Sequence, residues 1–430
     1  VNTDKKINKE ALKFYQNFGR NDDHETFYKN IYKVKPGELL IFKKDKLEKI
    51  AFLKYNFVKK PLKNKSIKKN IEEAISSQLV SDVPIALSLS GGVDSNIIYS
   101  VMRERLGKNL NIYSYYFKGY DRFNQDYKIA KENTNFFKDK LIPVEVTHED
   151  FSSNLEKVSE ILEEPLWSQG AILNYLMSKQ VKEKVLLTGD GGDEVFTGYD
   201  QYKSIYILSM ISKLNIFNFI KTDFKNKNFN RVFFNDSLDF YISFSEKNLF
   251  DKYQKVFNNY NSVDKENLKF NHTNNFSFSN RLNDVCFMEM DNRLVNDYLR
   301  RCDSIFMDNG IEARVPLLDK NIIEKNLMMN EFKKFDYRFK SKGLLKKIFN
   351  KEIHKLTKTK WGLQSPLAHW LQGPLIPFVR QILSKTYYNS EQYLNFEEID
   401  KFFNNKVSFK DSHIIWSLLM FQIFLKKNRL

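Results

Sequence analysis

Ile85-Ala-Leu-Ser-Leu-Ser-Gly-Gly-Val-Asp-Ser95 decides how the rest of this 430-residue chain is read. The apolar run Ile85 to Leu89 reads as a buried strand. It breaks at Ser90-Gly91-Gly92, and Asn96-Ile97-Ile98-Tyr99 with Val101-Met102 opens a helical pattern. A strand, a glycine turn and a helix start make an anion site, because unpaired backbone N–H groups and the positive helix end point at one spot. Two adjacent glycines let the backbone come close to a phosphate. A carboxylate such as Asp94 suits an anion site only with a cation, and Mg²⁺ bridging carboxylate and phosphate supplies one. On these residues alone the plainer alternative is a Gly-Gly turn capped by Asp or Ser.

A second glycine-acid stretch, Leu186-Leu-Thr-Gly-Asp-Gly-Gly-Asp-Glu194, again follows a buried strand. Asp190, Asp193 and Glu194 crowd together between glycines. So many like charges are unfavourable unless a cation compensates them. The glycines supply a tight backbone; the carboxylates supply metal ligation or proton transfer. Asp94 and Asp193 are therefore expected to share one Mg²⁺ against a triphosphate.

Outward from these stretches, strands and helices alternate. Helices are expected at Lys9–Phe18, Ser66–Leu79, Tyr127–Phe137, His148–Leu162 and Ala171–Lys182. Strands are expected at Asn111–Phe117, Lys140–Val146 and Val185–Leu187. That order predicts an α/β fold with a doubly wound parallel sheet and ligands at the strand C-termini. Residues 200–280 lose the rhythm and read as a helical insertion, followed by a helical C-terminal part. Before the first helix of the sheet, Val34–Phe42 and Lys49–Phe57 read as strands around a turn at Asp45-Lys46. Two or three strands cannot stand alone, so residues 1–60 read as the end of a domain and 61–430 as the main one.

The bulk numbers narrow the function. The net charge of +16 invites a nucleic-acid partner. However, the lysines are scattered among Asn, Phe, Ile and Tyr and form no long basic run, which disfavours one. Cys286 and Cys302 are the only cysteines and form no C-x-x-C pair. That pattern speaks against a disulfide framework or a cysteine zinc site, and for a reducing, cytoplasmic setting. No signal peptide and no bilayer-length apolar run stands out, so no membrane partner is expected.

Together these residues resemble a known family. Ser90-Gly91-Gly92-Val93-Asp94-Ser95 is similar to the S-G-G-x-D-S pyrophosphate loop of the ATP pyrophosphatases. Thr188 through Tyr199 resembles the matching motif of glutamine-dependent asparagine synthetases. Asp303 through Asp319, containing Glu312-Ala313-Arg314-Val315-Pro316-Leu317-Leu318-Asp319, resembles that family's E-x-R-V-P-F-L-D block. Lys358 through Pro366 with Trp370-Leu371 is similar to its K-x-G-F-x-x-P…W-L segment. The resemblance reaches back to Ile7–Ile41, which is similar to the last part of an amino-terminal glutaminase domain.

The resemblance implies roles. ATP would bind through the backbone at Leu89, Tyr115, Thr188 and Gly189, with its pyrophosphate on Ser90, Gly91, Gly92, Asp94 and Ser95. Asp94 and Asp193 would hold Mg²⁺. Asp190, where the family usually has Glu, and Lys342 would be catalytic, with Lys340 as the alternative to Lys342. A carboxylate, aspartate or a related acid, would form an acyl-adenylate, and ammonia would displace AMP. A homodimer is compatible with the resemblance. An intramolecular amide-forming relative, of the β-lactam synthetase or peptide cyclase kind, is the alternative. The family's glutaminase nucleophile is an amino-terminal Cys; here the first residue is Val1 and no cysteine precedes Cys286. Truncation, processing or a separate subunit is therefore expected for that domain. Glu312 and Arg314 are expected to form a buried structural pair. Other departures lie at Ser304 to Asp308, at Arg122 and at Tyr116.

Overall fold

The computed structural model describes residues 6–21, 24–44, 46–51, 55, 57, 64–107, 109–213, 237, 241, 250–260, 281–335, 340–356, 365–404 and 407–430. Five parallel strands form the centre: β3 (Ile85–Ser88), β4 (Asn111–Phe117), β5 (Lys140–Val146), β6 (Val185–Leu187) and β7 (Glu312–Arg314). Their spatial order is β5-β4-β3-β6-β7. The chain winds outward from β3 in one direction through β4 and β5, then returns to the other side with β6. The order thus reverses between β3 and β6, and parallel sheets of this kind open a crevice there, at the strand C-termini.

Helices cover both faces, which is why Ile85–Leu87 of β3 and all of β6 are apolar instead of alternating. Ala86 and Leu186 point into one buried cluster, Leu87 and Leu187 into the other. Between the strands run α2 (Asn64–Ser77, ahead of β3), α3 (Val93–Leu106), α4 (Gln125–Phe137), α5 (His148–Leu162) and α6 (Gly170–Ser178). The expected Ala171–Lys182 helix ends earlier, at Ser178. Its last turn opens while the Val181 N–H still bonds the Met177 carbonyl at 3.0 Å, an ordinary fraying of a helix end. Strand β7 is a surprise in a stretch that reads as helical. It is only three residues long and carries charged residues at both ends, so it has no periodic signature.

The amino-terminal segment divides in two. Helix α1 (Lys9–Phe18) packs on the C-terminal helix Phe409–Asn428 and shares its core, with Ala11, Tyr15 and Phe27 fully buried. The Tyr15 hydroxyl lies 2.8 Å from the Ser417 carbonyl and 2.7 Å from its Oγ. The hairpin of β1 (Glu38–Lys43) and β2 (Lys46–Ala51) behaves differently. Leu39, Leu40, Phe42, Leu47 and Ile50 are all exposed, and cross-strand pairing puts apolar side chains on both of its faces. Strand β2 covers only the first part of the expected Lys49–Phe57 run; most of its remainder lies outside the described residues. So does most of the insertion expected over 200–280, after a helix at Asp200–Lys213. Among the described residues, no helix is long and apolar enough to cross a membrane.

Candidate active site

The loop after β3 and the loop after β6 lie side by side, because their strands are neighbours. Gly189 sits against the backbone of the first loop: a Cβ there would lie 3.1 Å from the Ser95 nitrogen and 3.2 Å from the Asp94 Cβ. Gly192 is tighter, and a Cβ there would come within 2.6 Å of the Asp94 carboxyl carbon. The glycines of the second motif are therefore the space that Asp94 occupies.

The first loop is internally braced. The Ser90 N–H donates to Ser95 Oγ at 3.1 Å, and the Gly92 N–H to Ser90 Oγ at 3.1 Å. The Asn96 amide donates to the carbonyls of Ser90 and Gly92 at 3.0 and 2.7 Å, and is itself held by Asn133 at 2.7 Å. Gly92 caps α3 without a side-chain bond. The Gly91 N–H points to Asp126 Oδ1 at 3.2 Å. A carboxylate oxygen thus sits on an amide that suits a phosphate oxygen equally well. Sequence reasoning missed Asp126 and Asn96. Asp126 stands in the first turn of α4, at another strand-to-helix junction, and carries no motif of its own.

Lys342 joins the two loops. Its ammonium forms ion pairs with Asp94 Oδ2 and Asp193 Oδ1, and the side chain is 2% exposed. Its backbone takes φ 56°, a left-handed conformation ahead of the short helix Gly343–Ile348. Lys340, two residues earlier, is exposed, so geometry singles out Lys342. Gly198 makes the room: a Cβ there would lie 1.7 Å from Asp193 Oδ1 and 2.4 Å from Lys342 Cε. The 2.8 Å bond from the Gly198 N–H to the Asp193 carbonyl closes that turn.

These groups fit a divalent cation. Asp94 and Asp193 already share one cationic group, and Asp94 keeps a second oxygen, Oδ1, buried without a hydrogen-bond partner. No cluster of three or more His, Cys, Asp or Glu side chains suited to a metal occurs among the described residues. An ion bound between the two aspartates would therefore take its other ligands from phosphate or water, the usual manner of Mg²⁺.

Asp190 turns the other way. Its Oδ2 accepts from Thr188 Oγ1 at 2.9 Å. It also neighbours Tyr115, Cys302 and Arg301. Enclosure first, and the nearby Asp190 charge second, keep the Tyr115 phenol and the Cys302 thiol protonated. The N–H groups of Leu89 and Thr188 are taken by the carbonyls of Tyr113 and Arg314, each at 2.9 Å. Any backbone contact with a nucleotide at those two residues falls to their carbonyls. Glu194 is fully buried beyond the site. Burial pushes its carboxyl up to about 7, and the Tyr199 hydroxyl bonds it at 2.7 Å.

The expectation of a buried Glu312–Arg314 pair needs correction. Glu312 is largely exposed; Arg314 pairs with it at 2.8 Å but spends its other donors on the carbonyls of Gln78 and Val80. The pair sits on the edge strand of the sheet, where Arg314 ties β7 to the end of α2.

Comparison with known proteins places the chain among relatives of one family. The family description asparagine synthase matches residues 66–426. Asparagine synthetase [glutamine-hydrolyzing] 1 of Bacillus subtilis (strain 168) is 25% identical over 452 aligned positions, spanning 98% of this chain and 69% of that protein. A Methanocaldococcus jannaschii protein whose name places it with the glutamine-hydrolysing asparagine synthetases is 32% identical, over 50% of this chain and 43% of its own length. The Gibberella zeae amidase chry2 is 25% identical over 42% of this chain and 31% of its own length. The chain thus spans about two thirds of the first relative and less than half of the other two.

Proposed function

Because this chain belongs to the asparagine synthase family, we propose that it is an ATP-dependent carbon–nitrogen ligase that activates a carboxylate as an acyl-adenylate and converts it to an amide. One observation carries the reading. Two carboxylates and a lysine ammonium meet at the reversal point of a parallel sheet, beside a glycine loop that opens a helix.

In the proposed reaction a carboxylate oxygen of the acceptor bonds to the α-phosphorus of ATP, and the bond from that phosphorus to pyrophosphate breaks. Ammonia then bonds to the acyl carbon, loses a proton, and AMP leaves. Asp94 and Asp193 would hold Mg²⁺, which when bound neutralises the phosphates of the leaving group. The Ser90–Ser95 loop would receive the pyrophosphate on backbone N–H groups, and the Lys342 ammonium would balance its growing charge. Asp190, beside Arg301 and Tyr115, faces the acceptor side in this reading and would take the amine's proton. Aspartate or a related acid is the proposed acceptor.

Residues 1–60 are proposed as the tail of a glutaminase-like domain, a reading supported by the hairpin's apolar faces. Both cysteines are buried, and the proposal assigns glutamine hydrolysis to neither.

The test is a screen of carboxylates with ATP, Mg²⁺ and ammonium, reading pyrophosphate and AMP. The expected result is release that depends on one acid and is lost in Asp94→Asn. Release that needs that acid but no added amine would turn the reading to an intramolecular amide. If no carboxylate triggers release, the proposal fails.

A further inference from the structure

The position of Lys342 carries a consequence for how the metal arrives. Its ammonium lies between Asp94 and Asp193; Lys342 and Asp94 are buried and Asp193 is partly so. A divalent ion held by both carboxylates would need oxygens at roughly 2.1 Å, in the same space. The glycine side leaves no room: a Cβ on Gly198 would overlap Asp193 Oδ1 and Lys342 Cε, and one on Gly192 the Asp94 carboxyl. Two cations in that space would also repel each other strongly away from bulk water. The ammonium and the metal therefore exclude one another.

We infer that Lys342 is a tethered counter-ion that keeps the aspartate pair closed to free divalent metal, and gives way when metal enters together with a triphosphate. Its long, unbranched stem lets the ammonium swing out while the backbone stays at the head of its helix. The phosphate then supplies what the ammonium loses, a negative partner, and the aspartates gain the metal. Metal and nucleotide bind cooperatively as a result: each relieves a cost that the other would face alone. Asp94 Oδ1, the buried oxygen without a partner, is the ligand held in reserve for this exchange. The inference rests on reading Asp94 and Asp193 as the metal pair.

The experiment uses Mn²⁺ as probe, without nucleotide, and follows free Mn²⁺ by electron paramagnetic resonance. The wild-type chain is expected to bind weakly. Lys342→Met, which keeps the stem and removes the charge, is expected to bind at least ten-fold tighter. Adding Asp94→Asn to that variant should abolish the gain. Equal or weaker binding by Lys342→Met overturns the inference. A second measurement needs no variant. Acylation of Lys342 by a small amine-reactive reagent, read by mass spectrometry, should be slow in wild type, stay slow at Mn²⁺ concentrations below the weak wild-type affinity, and rise several-fold only once Mn²⁺ saturates the pair. A rate that saturating Mn²⁺ leaves unchanged also overturns it. Pyrophosphate release by the wild type separates the two ideas. If release is seen but the Mn²⁺ results fail, only the counter-ion role falls. If the Mn²⁺ results hold and no acid triggers release, the ligase reading falls instead.

Discussion

Gly198→Ala isolates the geometry of the aspartate pair from the stability of the fold. The added methyl would sit 1.7 Å from Asp193 Oδ1 and 2.4 Å from Lys342 Cε. Both atoms belong to side chains that can move, so the fold survives at a cost of about 1–3 kcal/mol, as for other overpacked sites. Relief of the clash drives the Asp193 carboxylate back by more than about 1 Å, and a misplacement of that size lowers turnover about 100-fold. Thermal denaturation and acid-dependent pyrophosphate release, measured on the same preparation, separate the two effects. Gly373→Ala is the control, because the nearest atom to its new methyl, the His369 carbonyl, stands 3.7 Å away. A Gly198→Ala chain that releases pyrophosphate at the wild-type rate would refute the assignment of Asp193 to the reaction.

Three further outcomes are expected. Glu194 holds its proton to about pH 7 in the folded chain, against an ordinary 4.5, so the folded state binds the extra proton between those values. Stability should fall on the order of 3 kcal/mol as pH rises from about 4.5 to about 7; Glu194→Gln should flatten that slope in denaturant titrations at stepped pH, and a slope the variant keeps would refute it. Tyr15→Phe removes the hydroxyl that reaches Ser417 and should lower stability by about 1 kcal/mol, leaving pyrophosphate release per folded molecule unchanged. Replacing the exposed Phe42 and Leu47 with lysine should leave the melting temperature of the chain almost where it was, since neither touches the buried clusters; a shift of several degrees would show that the hairpin packs on the sheet.

Four of the five strands were legible because they are apolar or alternating runs set between helices with clear periods; β7 and the order of the strands in space were not. The two glycine loops were legible because glycine and acid side by side have few structural uses. Lys342 was readable only as one of two lysines; that it stands between Asp94 and Asp193 follows from tertiary packing across 248 residues, which no local pattern encodes. Asp126 and Asn96 are ordinary polar residues in helix first turns, and their contacts with the loop depend on neighbours brought by β4 and α4. Gly198 reads as one more turn glycine until its missing side chain is seen as the space for two others. The burial of the Glu312–Arg314 pair was misjudged because no local pattern shows that these three residues form the edge strand of the sheet.

The bond between Tyr15 and Ser417 spans 402 positions of sequence. At ribosomal speeds of about 5–20 residues per second, roughly 20 to 80 seconds pass between the emergence of α1 and that of its partner helix. Throughout that time the apolar side of α1 lacks the part of its surface that Ser417 and Phe421 supply. The core around α1 therefore closes only once the helix Phe409–Asn428 has emerged. A stall before that helix, or its removal, would strip α1 of this support although 390 residues separate the two.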